Sequence, residues 1–221
     1  MATYLITGGN RGLGFELCRQ LHRQGHHVIA TCRSQSPQLE ELGIQIETGM
    51  DITKDASINR LITSLTGISI DVLINNAGIL EKTSLDELNP ESLRRQFEVN
   101  AIGPLRLTRS LLDQLKPGAK VVLITSRMGS IEDNSSGGSY GYRMSKAALC
   151  MAGKSLSIDI KPRGIALAII HPGLVSTRMT NFTAHGITPE VSVEGILERI
   201  NELDLASSGS FWHANGERLP W

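Results

Sequence analysis

Thr7-Gly8-Gly9-Asn10-Arg11-Gly12-Leu13-Gly14 follows the short β-branched run Tyr4–Thr7 and opens a stretch of helical period, Gly12–Gln24. Glycines at 8, 12 and 14 let the backbone turn sharply and come close to a ligand. The helix that follows aims its free N–H groups and positive dipole end at the same place. An ordinary glycine-rich turn is the competing reading. Position between the first strand and the first helix favours a loop that cradles a pyrophosphate.

Outward from this loop the chain alternates. Short apolar runs at Val28–Thr31, Ile44–Thr48, Val72–Asn75, Val121–Thr125, Ile165–Ile170 and Gly209–His213 are separated by helical patterns at Lys54–Leu65, Pro90–Leu115, Tyr140–Asp159 and Val191–Leu203. Six or seven strands alternating with helices predict right-handed βαβ units and one parallel sheet covered on both faces. Several runs are solidly apolar, as strands buried on both faces require. In such sheets a ligand sits beyond the carboxyl ends of the strands, so the residue just after each strand is where function is sought.

Composition narrows the classes. Lys+Arg and Asp+Glu are both 22 of 221 residues, so no global basic field draws the chain to nucleic acid or an anionic membrane. No apolar run approaches the ~20 residues of a membrane span, and Met1–Leu5 enters a strand pattern without a basic, cleavable leader. Cys18, Cys32 and Cys150 are odd in number and form no CxxC, which predicts a reducing, cytoplasmic setting with neither disulfides nor a cysteine zinc site. His22, His26, His27, His171, His185 and His213 show no paired-ligand spacing, and Ser126 lies in no GxSxG elbow, so metal chemistry and hydrolysis are disfavoured.

The spacing G-x3-G-x-G is not the common GxGxxG. It resembles the TGxxxGxG variant of the short-chain dehydrogenase/reductase family. Of this loop Gly8, Asn10, Arg11, Gly12, Leu13 and Gly14 are expected to bind cofactor. An NAD-selective site places an acid at the end of the second strand, ~20 residues on. Here Cys32-Arg33-Ser34 has none, and Arg33 with Arg11 offers two guanidiniums to a 2′-phosphate. Solvated surface arginines are the alternative. NADPH/NADP+ is therefore expected over NADH.

Asp51-Ile52 after the third strand matches the family's adenine contact, a helix N-cap being the other role for a lone loop aspartate. Asn75-Asn76-Ala77-Gly78 after the fourth strand matches NNAG: Ala77 and Gly78 let the backbone pass under the adenine ribose, and Asn76 ties neighbouring strands. His171-Pro172-Gly173-Leu174-Val175-Ser176-Thr177 matches PGxxxT, which implies that Pro172, Gly173, Val175 and Thr177 fix the nicotinamide.

Tyr142-Arg143-Met144-Ser145-Lys146 places a phenol and an ammonium on one helix face. A phenol pKa near 10 is high for acid–base work, and a nearby cation favours the phenolate, so a lowered Tyr142 is expected. Ser126 ends the fifth strand where the family carries its catalytic serine, and Thr125 points to the opposite side. Pro104 has no N–H for the Asn100 carbonyl, so the helix bends there. The family's asparagine uses that carbonyl to hold a relay water next to its lysine.

Together these resemblances imply a single-domain Rossmann fold over residues 1–221, a doubly wound parallel sheet of about seven strands. They imply NADPH-dependent reduction of ketones or aldehydes by Asn100, Ser126, Tyr142 and Lys146. Ser126-Arg127-Met128-Gly129-Ser130-Ile131 is similar to the Sniffer-type carbonyl reductase and C-factor-like branch. A 3-ketoacyl-thioester reductase and a C-factor-like signalling or cofactor-sensing protein are the alternatives. The short segment between Thr177 and Val191 implies an abbreviated lid and an open site for bulky or aromatic substrates, with the Glu132–Ser139 loop shaping it. By analogy, copies pair through the two long helices as a homodimer or homotetramer.

Overall fold

Parallel pairing runs through the whole molecule. The structure is a computed structural model describing residues 1–221. Seven strands, β1 (Thr3–Thr7), β2 (His27–Thr31), β3 (Gln45–Glu47), β4 (Ile70–Asn75), β5 (Leu115–Ile124), β6 (Ala166–His171) and β7 (Ser210–His213), form one sheet in the order β3-β2-β1-β4-β5-β6-β7. Every pairing is parallel. Strand order reverses between β1 and β4, and a crevice opens beyond the carboxyl ends of the strands at such a switch point.

Successive side chains of each strand feed opposite layers. Leu5, Ile29, Leu73, Val121, Leu123, Leu167 and Ile169 pack with residues of α3 (Asp55–Ser64), α5 (Gly103–Ser110) and α6 (Tyr140–Asp159). Ile6, Val28, Ala30, Ile74, Val122, Ile124, Ala168 and Ile170 pack with α1 (Gly12–Arg23), the single turn α2 (Pro37–Glu40) and α7 (Pro189–Glu202). Both faces are therefore dry, as the unalternating strand sequences require. Ser36 caps α2, accepting from Leu39 N at 3.4 Å, with Pro37 in the first turn.

One expected element is corrected. Pro90–Leu115 is not a continuous helix: α4 (Pro90–Phe97) passes through a π-helical turn at Glu98–Ile102 into α5, which ends at Ser110, and Leu115 already belongs to β5. Gly103 N–H bonds back to Glu98 O, one residue further than an α-helix reaches, which accommodates the bond Pro104 cannot make. At the other end, Ile70 faces Leu115 and Val72 faces Lys120, so β5 carries an excursion over residues 116–119 that the apolar pattern beginning at Val121 hides.

Where α6 crosses the sheet, Gly153 lies on β5 and β6, and a methyl added there meets Ile169 and Leu123 at 2.8 Å. Both neighbours are fully buried. Overpacking of this kind costs about 1–3 kcal/mol. Gly153→Val is expected to lower the midpoint of thermal unfolding by about 3–10 °C; an unchanged midpoint by calorimetry contradicts this packing.

Candidate active site

The glycine loop is held by the end of β4. Thr7 Oγ1 accepts from Asn76 N and Ala77 N, each at 3.0 Å, and Asn76 Nδ2 donates to Thr7 O at 2.9 Å. Asn76 thus ties β1 to β4. Gly14 leaves no room for a side chain, because a Cβ would collide with Gly8 O and reach Asn76 Nδ2 at 2.5 Å. Gly8 has φ +70° and turns back above Ala77.

This cradle fits a phosphate. Phe15 N is the first amide bonded inside α1, to Arg11 O, so the amides of Gly12, Leu13 and Gly14 have no intrahelical acceptor. No side chain caps the helix and no acid lies in its first turn. Arg11 and Arg33 are exposed and neither is in an ion pair. Asn10 Nδ2 donates to Ser34 O at 2.8 Å and Ser36 Oγ donates to Asn10 O at 2.9 Å, which fixes the glycine loop against the segment carrying Arg33. Two exposed guanidiniums outside any ion pair, with the uncapped amides, suit the extra phosphate of NADPH.

Further along the edge, Asp51 Oδ1 accepts from Thr53 N and Oγ1 in its own turn, and Lys54, not Asp51, occupies the N-cap of α3. Hydrogen bonds from Thr53, helped by Lys54 and Arg33, hold the Asp51 carboxyl below its usual range despite the opposing desolvation. The Ile52 side chain packs into the core against Gly103.

Ser126, Tyr142 and Lys146 come together where β5 meets α6. All three are buried, at 8%, 7% and 4% exposure, and Lys146 Nζ lies 5.7 Å from the centre of the Tyr142 ring. Lys146 Nζ donates to Ile124 O at 2.9 Å. Thr125 Oγ1 turns to α6, 3.4 Å from Lys146 O and 3.4 Å from Cys150 Sγ. The Ser126 hydroxyl accepts from Met128 N at 3.1 Å, which leaves its proton to donate. Beneath them a Cβ on Gly78 lies 3.2 Å from Asn100 Oδ1 and 3.7 Å from Lys146 Nζ, so the fourth strand end reaches the lysine.

Asn100 is fully buried in the π-turn. Its side chain accepts from Ile79 N at 2.8 Å and donates to Ile79 O at 2.9 Å and Ser145 Oγ at 3.0 Å. The amide is thus occupied, and Pro104 has no N–H to offer the Asn100 main-chain carbonyl.

The expected lowering of the Tyr142 phenol is corrected. Burial pushes it up to about 12, with the Ser126 hydroxyl acting in the opposite direction, and the same burial pushes Lys146 down to about 8. Desolvation is the largest cause of both shifts.

On the far side, Gly12 faces Thr177, whose methyl lies 3.6 Å from where a Cβ would stand. Pro172 O accepts from Ser192 Oγ at 2.6 Å, and Gly173 has φ +88°. Val175 pairs with Ile187, and Thr180 Oγ1 donates to Val175 O at 2.6 Å, which closes the 175–187 loop on itself. Leu174, Met179 and Phe182 are exposed on it. His171, which opens the segment matching PGxxxT, is pushed down to about 3 by burial and packs edge-on to His213 at 4.8 Å, so it stays neutral.

Residues 2–187 match the family model described as short chain dehydrogenase. The chain belongs to the short-chain dehydrogenase family. Over 100% of both chains it is 38% identical to a 1-hydroxy-2-glutathionyl-2-methyl-3-butene dehydrogenase of Rhodococcus sp. (strain AD45). It is 44% identical to C-signal of Myxococcus xanthus over 69% of this chain and 93% of that one. Among solved structures, carbonyl reductase Sniffer of D. melanogaster superposes with a TM-score of 0.92 at 31% identity, covering 100% of each chain. NADPH-bound carbonyl reductase from chicken fatty liver gives 0.90 at 29% identity, covering 100% of this chain and 99% of that one. The likeness to the Sniffer and C-factor branch of the short-chain dehydrogenases is thereby shown, and the chain is an oxidoreductase of that type.

Some contacts that shape this short-chain dehydrogenase site follow from no spacing in the sequence. Gln96, Thr83 and Ser145 act on backbone groups, and Gly129 packs so closely on α6 that a Cβ would lie 2.8 Å from Lys146 C. Nothing periodic marks such contacts.

The lysine supplies a pH test. Unfolded, Lys146 keeps its proton to about 10.5; folded, it releases it at about 8. The cost of the buried charge is therefore full below pH 8 and relieved as pH rises toward 10.5, on the order of 3 kcal/mol. Lys146→Met should gain most in thermal stability over the native protein below pH 8, the margin shrinking between pH 8 and 10.5. A margin independent of pH refutes the buried cation.

Proposed function

We propose that this protein reduces ketones or aldehydes to alcohols with NADPH, reversibly, using Asn100, Ser126, Tyr142 and Lys146. The observation that carries the reading is the buried Tyr142–Lys146 pair, 5.7 Å from cation to ring, with the Ser126 hydroxyl beside the phenol. NADPH-bound and Sniffer-type neighbours support the choice of cofactor and reaction. The Rhodococcus relative's name describes oxidation of an alcohol bearing a bulky substituent, which agrees with an open site.

Gly8, Asn10, Arg11, Gly12, Leu13 and Gly14 hold the pyrophosphate side, with Arg11 and Arg33 on the 2′-phosphate. Asp51, Ile52, Asn76, Ala77 and Gly78 line the adenosine end, and Pro172, Gly173, Val175 and Thr177 the nicotinamide end. When bound, the reduced nicotinamide supplies the hydride. Ser126 donates to the substrate oxygen and fixes its position. Tyr142, neutral at working pH, gives that oxygen its proton as negative charge develops. Lys146 binds the nicotinamide ribose and favours the resulting phenolate, and a water on the Asn100 carbonyl returns the proton from solvent.

The likeness to C-signal favours a second reading, a signalling or cofactor-sensing protein, which measurable turnover on a ketone weakens. We read residues 1–221 as one domain acting in a reducing, cytoplasmic setting, and the three cysteines are free and buried. No helix is long and apolar enough to cross a membrane. Ile102, Leu105, Tyr140, Met144 and Met151 are exposed along α4–α6, which supports pairing of copies as a homodimer or homotetramer.

Tyr142→Phe should lower turnover by about 10²–10⁴ while NADPH still binds, as read by quenching of protein fluorescence; retained turnover removes the acid assignment. Arg33→Asp should weaken NADPH about ten- to a hundredfold and turn preference toward NADH. An unchanged ratio of the two cofactors' kcat/KM removes Arg33 from the 2′-phosphate.

A further inference from the structure

Two side-chain amides on one helix face grip the chain that leaves β4. Asn100 holds both main-chain groups of Ile79, and Gln96 does the same to Glu81: Gln96 Oε1 accepts from Glu81 N and Nε2 donates to Glu81 O, both at 3.1 Å. The spacings agree, since four residues of helix rise about 6 Å and two extended residues span about 6.6 Å. The segment is thereby paired as if to a neighbouring strand, without one. Gln96 is fully buried, and Ser92 Oγ takes a further bond from Nε2 at 3.2 Å.

Both grips lead to Tyr142. Asn100 reaches it through Ser145, whose Oγ donates to Tyr142 O at 2.8 Å. Gln96 reaches it through Gly141: the amide lies so close that a Cβ on Gly141 would stand 2.5 Å from Gln96 Nε2. Gly141 N–H donates to Thr83 Oγ1 at 3.2 Å, at the end of the gripped segment, while Ser139, at φ +47°, makes no capping bond of its own. The first turn of the catalytic helix is therefore capped by the chain Gln96 holds.

We propose that Gln96 is a positioning residue for Tyr142, setting the phenol against Ser126 by clamping residues 79–83 between α4 and the start of α6. The proposal rests on the carbonyl-reduction reading above. Misplacement of a reacting group by about 1 Å costs up to about a hundredfold in rate.

The test compares Gln96→Met, of similar length without the amide, Gln96→Glu, and the milder Thr83→Val. Gln96→Met should lower kcat about tenfold or more with NADPH affinity unchanged. Gln96→Glu should approach native kcat at acid pH, where a neutral carboxyl donates and accepts as the amide does, and fall away as it ionises. Thr83→Val should move kcat in the same direction. Native kcat and an unaltered pH profile in folded Gln96→Met, or in Thr83→Val where the first variant does not fold, overturn the proposal. If the unsubstituted protein reduces no carbonyl, the carbonyl-reduction reading is at fault. Hydrogen exchange at the Gly141 amide then judges the clamp: faster exchange in Gln96→Met supports it, and equal exchange overturns it.

Discussion

The end of β5 is stitched to α6, and the reactive part of the molecule depends on that seam. Lys146 Nζ donates to Ile124 O, Thr125 Oγ1 meets Lys146 O and Cys150 Sγ, and Gly129 packs against the Lys146 backbone with no space for a side chain. These contacts put three consecutive positions, Ile124 to Ser126, against consecutive turns of one helix. They also keep the ammonium and the phenol in a dry pocket, where each is held in its neutral form more strongly than in water. Burying the Lys146 ammonium costs stability wherever it is charged.

A second seam joins the glycine loop to the same place from the other side. Thr7, Gly8 and Gly14 are fixed by Asn76, and two residues later Gly78 lies against Asn100 and Lys146. The glycine loop and the Tyr142–Lys146 pair are thus joined through the end of β4 along one edge of the sheet.

The glycine spacing and the tyrosine–lysine interval were readable because each follows from a local turn or local periodicity, and the strand-end residues through their resemblance to the family's motifs. The π-turn was legible in part: Pro104 announces a break at Asn100, but the change to a five-residue hydrogen bond depends on what packs there, Ile52 against Gly103. The early end of α5 and the start of β5 at Leu115 were hidden because Pro117 and Gly118 sit in an excursion of the strand. The rise of the Tyr142 phenol could not be read either, since burial is a property of the folded pocket. Gln96 and Thr83 show the remaining limit, because side chains that bind backbone leave no pattern in sequence.

Whether this edge performs hydride transfer is tested most directly by following the hydrogen itself. NADPH carrying deuterium at one or the other face of nicotinamide C4 is offered with an aromatic ketone, and the alcohol is read by mass spectrometry. Deuterium on the carbinol carbon from one labelled face and not the other is the expected result, because a fixed ring presents a single side to the substrate. Alcohol lacking the label from both, or no alcohol at all while the cofactor binds, contradicts the account.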